Sequence, residues 1–329
     1  MRYRTFGRTG FKVSEIGYGM WGMGGWTGSD DEESLRALER AIALGCNFFD
    51  TAWAYGQGHS ERLLGDTLQR HKTGVRTGDG HLPIIVATKV PPKNLKWPGK
   101  AETPIGDVFP ADHIREFTEK SLENLGVDTI DLQQLHVWSD AWAADPGWRR
   151  AAQALKDEGL VRAFGISVNR WEPANVLRAL DTGLVDSVQV VYNIFDQSPE
   201  DTLLPYCARR GVAVIARVPF DEGSLTGTLT PNSTWPEGDW RNLYFAAPQL
   251  AETLDRVERL RPLVPEGMDL PDLALRFILE HPAVSTTIPG MRRPRHVDRN
   301  LAASDGDRLP RRLTEALRAH RWDRTVEIP

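Results

Sequence analysis

Four residues suited to proton transfer fall at or just beyond the ends of apolar runs: Asp50, Tyr55, Lys89 and His136. Asp50 closes the run 46–49 in GCNFFDTAWAYG, and Tyr55 follows in the same loop. Lys89 closes LPIIVATK, and His136 closes IDLQQLH. In a parallel β/α protein, strand ends on one face converge on a single pocket. A phenol ordinarily titrates near 10, so Tyr55 calls for a neighbouring cation that lowers this value. Lys89 could be that cation, with Asp50 holding it in place and balancing its charge. His136 could hydrogen-bond the phenol or a substrate oxygen. Singly, each residue has a plain structural role: a cap, a packed ring, a solvated cation, a strand-end histidine. Together at one edge they predict a proton-donating site of the kind a reductase needs.

The elements that must position these groups are legible as alternating patterns. YRTFGRTGFKVSEIGYG reads as a hairpin turning between Gly7 and Gly10, then a strand through Ile16 and Tyr18. Asp30 is placed to cap a helix with Leu35, Leu38, Ile42 and Leu44 at helical spacing. Strands are expected at 16–19, 47–50, 84–89, 130–136, 162–167, 187–191, 212–216 and 285–288. Helices are expected at 60–69, 110–125, 147–157, 172–180, 199–209 and 271–280, with an extra C-terminal helix at 309–322. Eight repeats predict an α/β fold closed into a (β/α)8 barrel, with an open doubly wound sheet as the alternative. No domain boundary appears, so residues 1–329 form one domain. The stretches 91–110 and 219–249, rich in Pro, Gly, Trp and charge, are too long for ordinary connectors. Both leave C-terminal strand ends, where they could wall a substrate site.

Composition narrows the classes. An apolar content of 40% supports a large core, and the mean hydropathy of -0.40 suits a chain in water. A net charge of -5 argues against a nucleic-acid partner. No apolar run is long enough to span a bilayer, and the start MRYRTFGRTG lacks a secretory core, so no membrane and a cytoplasmic location are expected. Cys46 and Cys207 are too few for a disulfide framework and read as buried, inert thiols. The eight histidines show no ligand spacing, so no metal site is expected and a metal-dependent barrel hydrolase or isomerase is remote. A literal GxGxxG occurs from Gly17 to Gly22, but residues 23–28 cannot start the helix that such a fingerprint needs.

FFDTAWAYGQGHSE, ATK, LQQLH, GISVN, VQVVYN and IPGMRRPRHVDRN, in this order, closely resemble the aldo-keto reductases. The resemblance covers nearly the whole chain. It implies a TIM barrel that binds NADP(H), ahead of NAD(H), without a Rossmann domain. Its catalytic tetrad falls on Asp50, Tyr55, Lys89 and His136. It also implies that Ser167, Asn169 and Gln189 hold the nicotinamide carboxamide, with Gly19 and Trp21 in the loop beneath the cofactor. Gly290, Arg292, His296 and Asn300 match the segment holding the adenosine and its 2′-phosphate, where Arg293 and Arg295 add charge. Three positions depart from the pattern. Arg217 stands where many relatives stack an aromatic ring, and could stack or contact the pyrophosphate. His296 replaces an Arg or Gln, and Arg299 replaces an acid.

Trp21, Trp26, Trp53 and Trp138 lie in or beside the expected active-face loops, with Trp53 and Trp138 assigned to an aromatic substrate wall. The expected activity is NADPH-dependent reduction of an aldehyde or ketone. A cofactor-binding regulatory subunit of the same fold is the alternative, and the complete tetrad argues against it. Substrate identity, reaction direction and oligomeric state stay open.

Overall fold

Twelve short strands are present among the described residues, 1–25, 28–78 and 80–324, of the computed structural model. They are β1 (Tyr3–Thr5), β2 (Lys12–Ser14), β3 (Tyr18–Gly19), β4 (Phe48–Asp50), β5 (Val75–Thr77), β6 (Gly80–Leu82), β7 (Ile85–Val90), β8 (Ile130–Leu135), β9 (Val161–Ser167), β10 (Ser187–Val191), β11 (Ala213–Arg217) and β12 (Val284–Thr287). Eight of them form one parallel sheet in the order β12-β11-β10-β9-β8-β7-β4-β3. Parallel bridges from Ile16 to Thr287 and from Gly19 to Gly290 join its two ends, so the sheet closes into a barrel. The open-sheet alternative is thereby removed. At the seam, a Cβ on Gly19 would lie 2.5 Å from the Ile288 carbonyl oxygen, so only glycine permits this closure.

Among the described residues, eleven α-helices occur, in chain order: α1 (Asp31–Ala43), α2 (His59–Arg70), α3 (Ala111–Leu125), α4 (Pro146–Asp157), α5 (Leu177–Asp181), α6 (Leu203–Arg210), α7 (Arg241–Tyr244), α8 (Gln249–Leu260), α9 (Leu270–Glu280), α10 (Pro294–Ala302) and α11 (Arg311–Arg318). Asp30 caps α1 as expected, accepting from the Glu33 backbone N–H at 2.6 Å. The helix expected at 172–180 begins only at Leu177. There the Asp140 carboxylate, from a distant loop, accepts from the N–H groups of Arg178 and Ala179 at 2.8 and 3.0 Å and fixes a late start. The helix expected at 199–209 splits into a 3-10 turn, Ser198–Glu200, and α6. The expected C-terminal helix is present but shorter, as α11.

The N-terminal part of the barrel interior is apolar and is plugged by the β1–β2 hairpin. Phe6, Phe11 and Val13 of the hairpin pack on Phe48, Ile85, Leu132, Ala163, Ala213 and Ile215. Arg4 pins the plug, donating to the carbonyls of Val284 and Leu279 at 2.7 and 2.5 Å and pairing with buried Glu15 at 2.9 Å. With that end sealed, only the C-terminal strand ends can open to a ligand. Both thiols are buried, and burial pushes each of them up to about 12, which keeps them inert. Among the described residues, no helix is long and apolar enough to cross a membrane.

Candidate active site

The barrel brings Asp50, Tyr55, Lys89 and His136 together at its C-terminal mouth. Asp50 ends β4, and Lys89 sits one residue from the end of β7. The Lys89 ammonium has no exposed surface and faces three acceptors: Asp50 Oδ1 at 2.5 Å, the Thr51 carbonyl at 2.7 Å and the Tyr55 hydroxyl at 3.4 Å. Three donors meet three acceptors. Asp50 Oδ2 accepts from Gln189 at 2.7 Å and from Gln134 at 3.2 Å, so both carboxylate oxygens are held. Burial alone would lower the Lys89 pKa, but Asp50 and Tyr55 outweigh it and the net shift is upward.

Tyr55 behaves differently from the sequence expectation. Its pKa is raised, because burial disfavours the phenolate more than Lys89 favours it, and Asp50 adds to the rise. Lys89 shares its charge with Asp50 and cannot fully offset that burial. The phenol is therefore held with its proton on at neutral pH.

His136 follows β8, and its backbone N–H donates to the Val90 carbonyl at 3.1 Å. The ring lies edge to face with Tyr55 at 5.7 Å and with Trp97 at 5.8 Å. Burial, then Lys89 and Arg217, push its pKa well below 6.5, so the imidazole is neutral. Its Nδ1 is buried without a hydrogen-bond partner among the described residues.

The expected dinucleotide residues divide into three groups. Gly19 and Gly290 meet at the barrel seam, and Trp21 beside them is 46% exposed. Ser167 ends β9 and is buried. Gln189 is engaged by Asp50. The Asn169 side chain is taken up by other partners: its Oδ1 accepts from Gly99 N–H at 3.2 Å while its Nδ2 donates to Gly99 O at 2.8 Å and to Glu172 at 2.9 Å. Here it ties down the 91–110 loop. Arg217 ends β11 and donates to the Val168 carbonyl at 3.0 Å.

At the start of α10, Arg292, Arg293 and Arg295 surround His296. Burial and then Arg295, Arg293, Arg292 and Arg299 lower the His296 pKa, the mark of a strongly positive neighbourhood. Asn300 is buried, and its Nδ2 has no partner among the described residues. Cations around a helix N-terminus with a spare buried donor suit a phosphate. The donor set thus fits a phosphate group, which Arg292, Arg293, Arg295 and Asn300 would hold.

The aromatic wall is rearranged relative to expectation. Trp53 stands edge to face on Phe117 at 4.7 Å. Trp138 is fully buried between Trp142 and Trp148, at 5.7 and 5.1 Å, so its ring fills core and presents no face to a ligand. Trp26 lies outside the described residues. Trp97, 45% exposed and set against His136, takes the mouth position that sequence reading did not single out. The signal was present as a Trp in a long Pro- and Gly-rich stretch leaving β7. Gln134 was also missed, although it alternates with Leu135 towards the barrel interior in IDLQQLH.

Barrel enzymes carry their chemistry at this end, and a lysine-steered phenol beside a neutral imidazole is proton-transfer equipment. The aldo/keto reductase family matches residues 15–321, and the chain belongs to that family of oxidoreductases. Aldo-keto reductase YhdN of Bacillus subtilis is 31% identical over 300 residues, 89% of this chain and 86% of the relative. The NADH-specific methylglyoxal reductase of Escherichia coli is 30% identical over 341 residues, 96% of this chain and 99% of the relative. Among solved structures, the holo form of aldo-keto reductase AKR11C1 from Bacillus halodurans superposes with a TM-score of 0.77 at 26% identity. That likeness covers 99% of this chain and 98% of the other. The eight-stranded barrel expected from the sequence is the fold found here, and it matches that solved aldo-keto reductase.

Proposed function

We propose that this protein reduces an aldehyde or ketone with NADPH, and that Tyr55 is the general acid. The observation that carries the reading is the buried Lys89 ammonium, held by Asp50 at 2.5 Å and set 3.4 Å from the Tyr55 hydroxyl. A bound nicotinamide supplies the hydride that adds to the carbonyl carbon. The carbonyl oxygen then gains negative charge and takes the Tyr55 proton. Lys89 stabilises the phenolate left behind, and Asp50 keeps Lys89 charged and aimed. Neutral His136 orients the carbonyl oxygen by hydrogen bonding without adding a second positive charge. The sealed, apolar N-terminal part of the barrel keeps water from beneath the site.

The Arg292, Arg293 and Arg295 cluster supports the 2′-phosphate of NADPH as its ligand, whereas the relative from Escherichia coli is NADH-specific. A purely regulatory role would leave the Asp50–Lys89–Tyr55 arrangement without a task. The test is turnover of a panel of aldehydes and ketones by wild type and Tyr55→Phe. Loss of the acid should lower kcat by about 10²–10⁴ while cofactor affinity stays near wild type. Wild-type turnover in that variant would overturn the reading.

A further inference from the structure

The first turn of α2 carries two polar side chains with no exposed surface, Ser60 and Glu61, and the tetrad chemistry leaves both unused. The Glu61 carboxylate accepts from the Thr88 hydroxyl at 2.5 Å and from the Asn124 amide at 2.8 Å, both neutral donors. Asn124 is oriented for this, because its Oδ1 accepts from Arg62 at 3.2 Å and its amide N–H is left for Glu61. A Cβ at Gly58, whose φ is 84°, would collide with the same amide, so the loop entering α2 is pressed against it. An apolar side chain would fill this place at less desolvation cost than a carboxylate. What the carboxylate adds is a directed link between separate elements.

The links reach the chain neighbours of the tetrad. Alternation along β7 sends Lys89 into the barrel and Thr88 outwards to Glu61. Ser60 Oγ donates to the Met20 carbonyl at 3.3 Å and so accepts from the Thr51 hydroxyl, 2.9 Å away. Thr51 follows Asp50 and supplies the carbonyl that Lys89 meets at 2.7 Å. The Ser60 backbone N–H donates to the Tyr55 carbonyl at 3.2 Å. One helical turn therefore grips the residue after Asp50, the residue before Lys89 and the backbone of Tyr55. Those attachments set the 3.4 Å approach of Lys89 to the Tyr55 hydroxyl.

Resting on the reductase reading, we propose that Ser60 and Glu61 are positioning residues for proton transfer, a clasp that joins β4, β7 and the Tyr55 loop so that Lys89 meets the phenol. They act through Thr51 and Thr88. Losing the clasp should tell on the chemical step, since misplacing a catalytic group by about 1 Å can cost about 10²-fold.

The first arm is kinetic. Thr88→Val removes the hydroxyl while keeping the side-chain shape, and Glu61→Leu removes the carboxylate. Each should lower kcat by about 10- to 100-fold, with KM and NADPH affinity within about threefold of wild type. Thr88→Ser and Glu61→Gln keep hydrogen-bonding groups in place and should recover most of the lost kcat. In a Tyr55→Phe background Thr88→Val should cost nothing more, because the donor that the clasp aims is gone. Fully additive losses in that double variant, or equal losses of kcat and cofactor affinity, would make the clasp a matter of general stability and overturn the proposal. The second arm needs no turnover. NMR of protein isotopically labelled at tyrosine Cζ follows the six tyrosines, with Tyr55 assigned through Tyr55→Phe. The Tyr55 signal should move in Thr88→Val and in Ser60→Ala while the others hold. A Tyr55 signal unmoved in both variants overturns the proposal whatever the kinetics. Carbonyl reduction that Thr88→Val leaves at the wild-type rate removes the clasp and keeps the reductase. A Tyr55 signal that moves as expected, in a protein whose wild type reduces no carbonyl, keeps the clasp on the phenol and removes the reductase reading.

Discussion

Asp50→Asn removes one negative charge and nearly preserves side-chain shape. Lys89 then holds a fully buried ammonium facing neutral acceptors alone: the Thr51 carbonyl at 2.7 Å, the Tyr55 hydroxyl at 3.4 Å and the amide oxygen of the new Asn. Leaving one member of a buried pair uncompensated costs about 3–5 kcal/mol. The lysine can instead shed its proton. At pH 7 that costs about 4.8 kcal/mol, from a gap of about 3.5 units to its ordinary value of 10.5 at about 1.36 kcal/mol per unit. The two routes cost nearly the same, so the variant loses about 3–5 kcal/mol at pH 7 whichever it takes. The pH dependence then distinguishes cause from coincidence. In wild type the Lys89 pKa stands above its ordinary 10.5. Its stabilisation is therefore fully present below 10.5 and is lost as pH rises through the folded-state value. In the variant burial prevails, the folded-state value drops below 10.5, and the unfolded chain binds more protons. Stability of the variant then rises with pH. Urea unfolding at pH 7 and pH 9 should show the gap to wild type narrowing by up to about 2.7 kcal/mol. A gap of constant size would refute the argument that Asp50 keeps the charge on Lys89.

Three further outcomes are expected. The His136 ring signal in NMR should hold its neutral-form shift through pH 6.5, and acidification below 6.5 should begin to destabilise the fold as the unfolded chain gains that proton; a His136 titration at its ordinary pH would contradict its burial. Arg324→Met should cost about 3–5 kcal/mol by stranding buried Asp221, lowering Tm by about 4–7 °C at roughly 0.7 kcal/mol per degree for a chain of this size. Adding Asp221→Asn should recover part of that loss in calorimetry, and strictly additive losses would mean the pair is not coupled. Arg292→Ala should weaken NADPH binding by about 10- to 100-fold and NADH binding by less than about threefold; equal losses in fluorescence titration would remove its phosphate role.

The parallel strands were legible because each is a short apolar run ended by a turn residue, and a parallel strand buried on both faces has that signature. The tetrad was legible for the same reason, since each member sits at or just beyond such a run. What escaped reading depends on distant pairings. The late start of α5 is set by Asp140, a residue 38 positions from Arg178. Arg324 reaches Asp221 across 103 positions and fixes a turn that no local pattern predicts. Asn169 sits at a strand end like Ser167, yet its side chain is consumed by Gly99, 70 positions earlier. Helix α8 was missed because the Pro- and Gly-rich composition before it drew attention away from the spacing of Leu250, Thr253, Val257 and Leu260. The β5–β6 hairpin has two three-residue strands, half of whose residues are polar, and lacks an alternating signal.

The direction of the Tyr55 shift changes how the site must work. A phenol activated by a lowered pKa would lose its proton readily even with no substrate present. Burial here outweighs Lys89, so the phenol keeps its proton until a stronger base arrives. In the reduction proposed above, the oxygen of a carbonyl that has just accepted hydride is such a base, and its negative charge would appear beside Lys89 at that moment. Lys89 then stabilises whichever oxygen carries the charge, before and after the proton moves, which favours transfer without favouring the idle phenolate. Neutral His136 fits the same scheme, because a second cation would lower the basicity of that oxygen and hold the proton on Tyr55. On that proposal the site responds to charge that develops during the reaction, with one proton held ready at Tyr55 in the resting state.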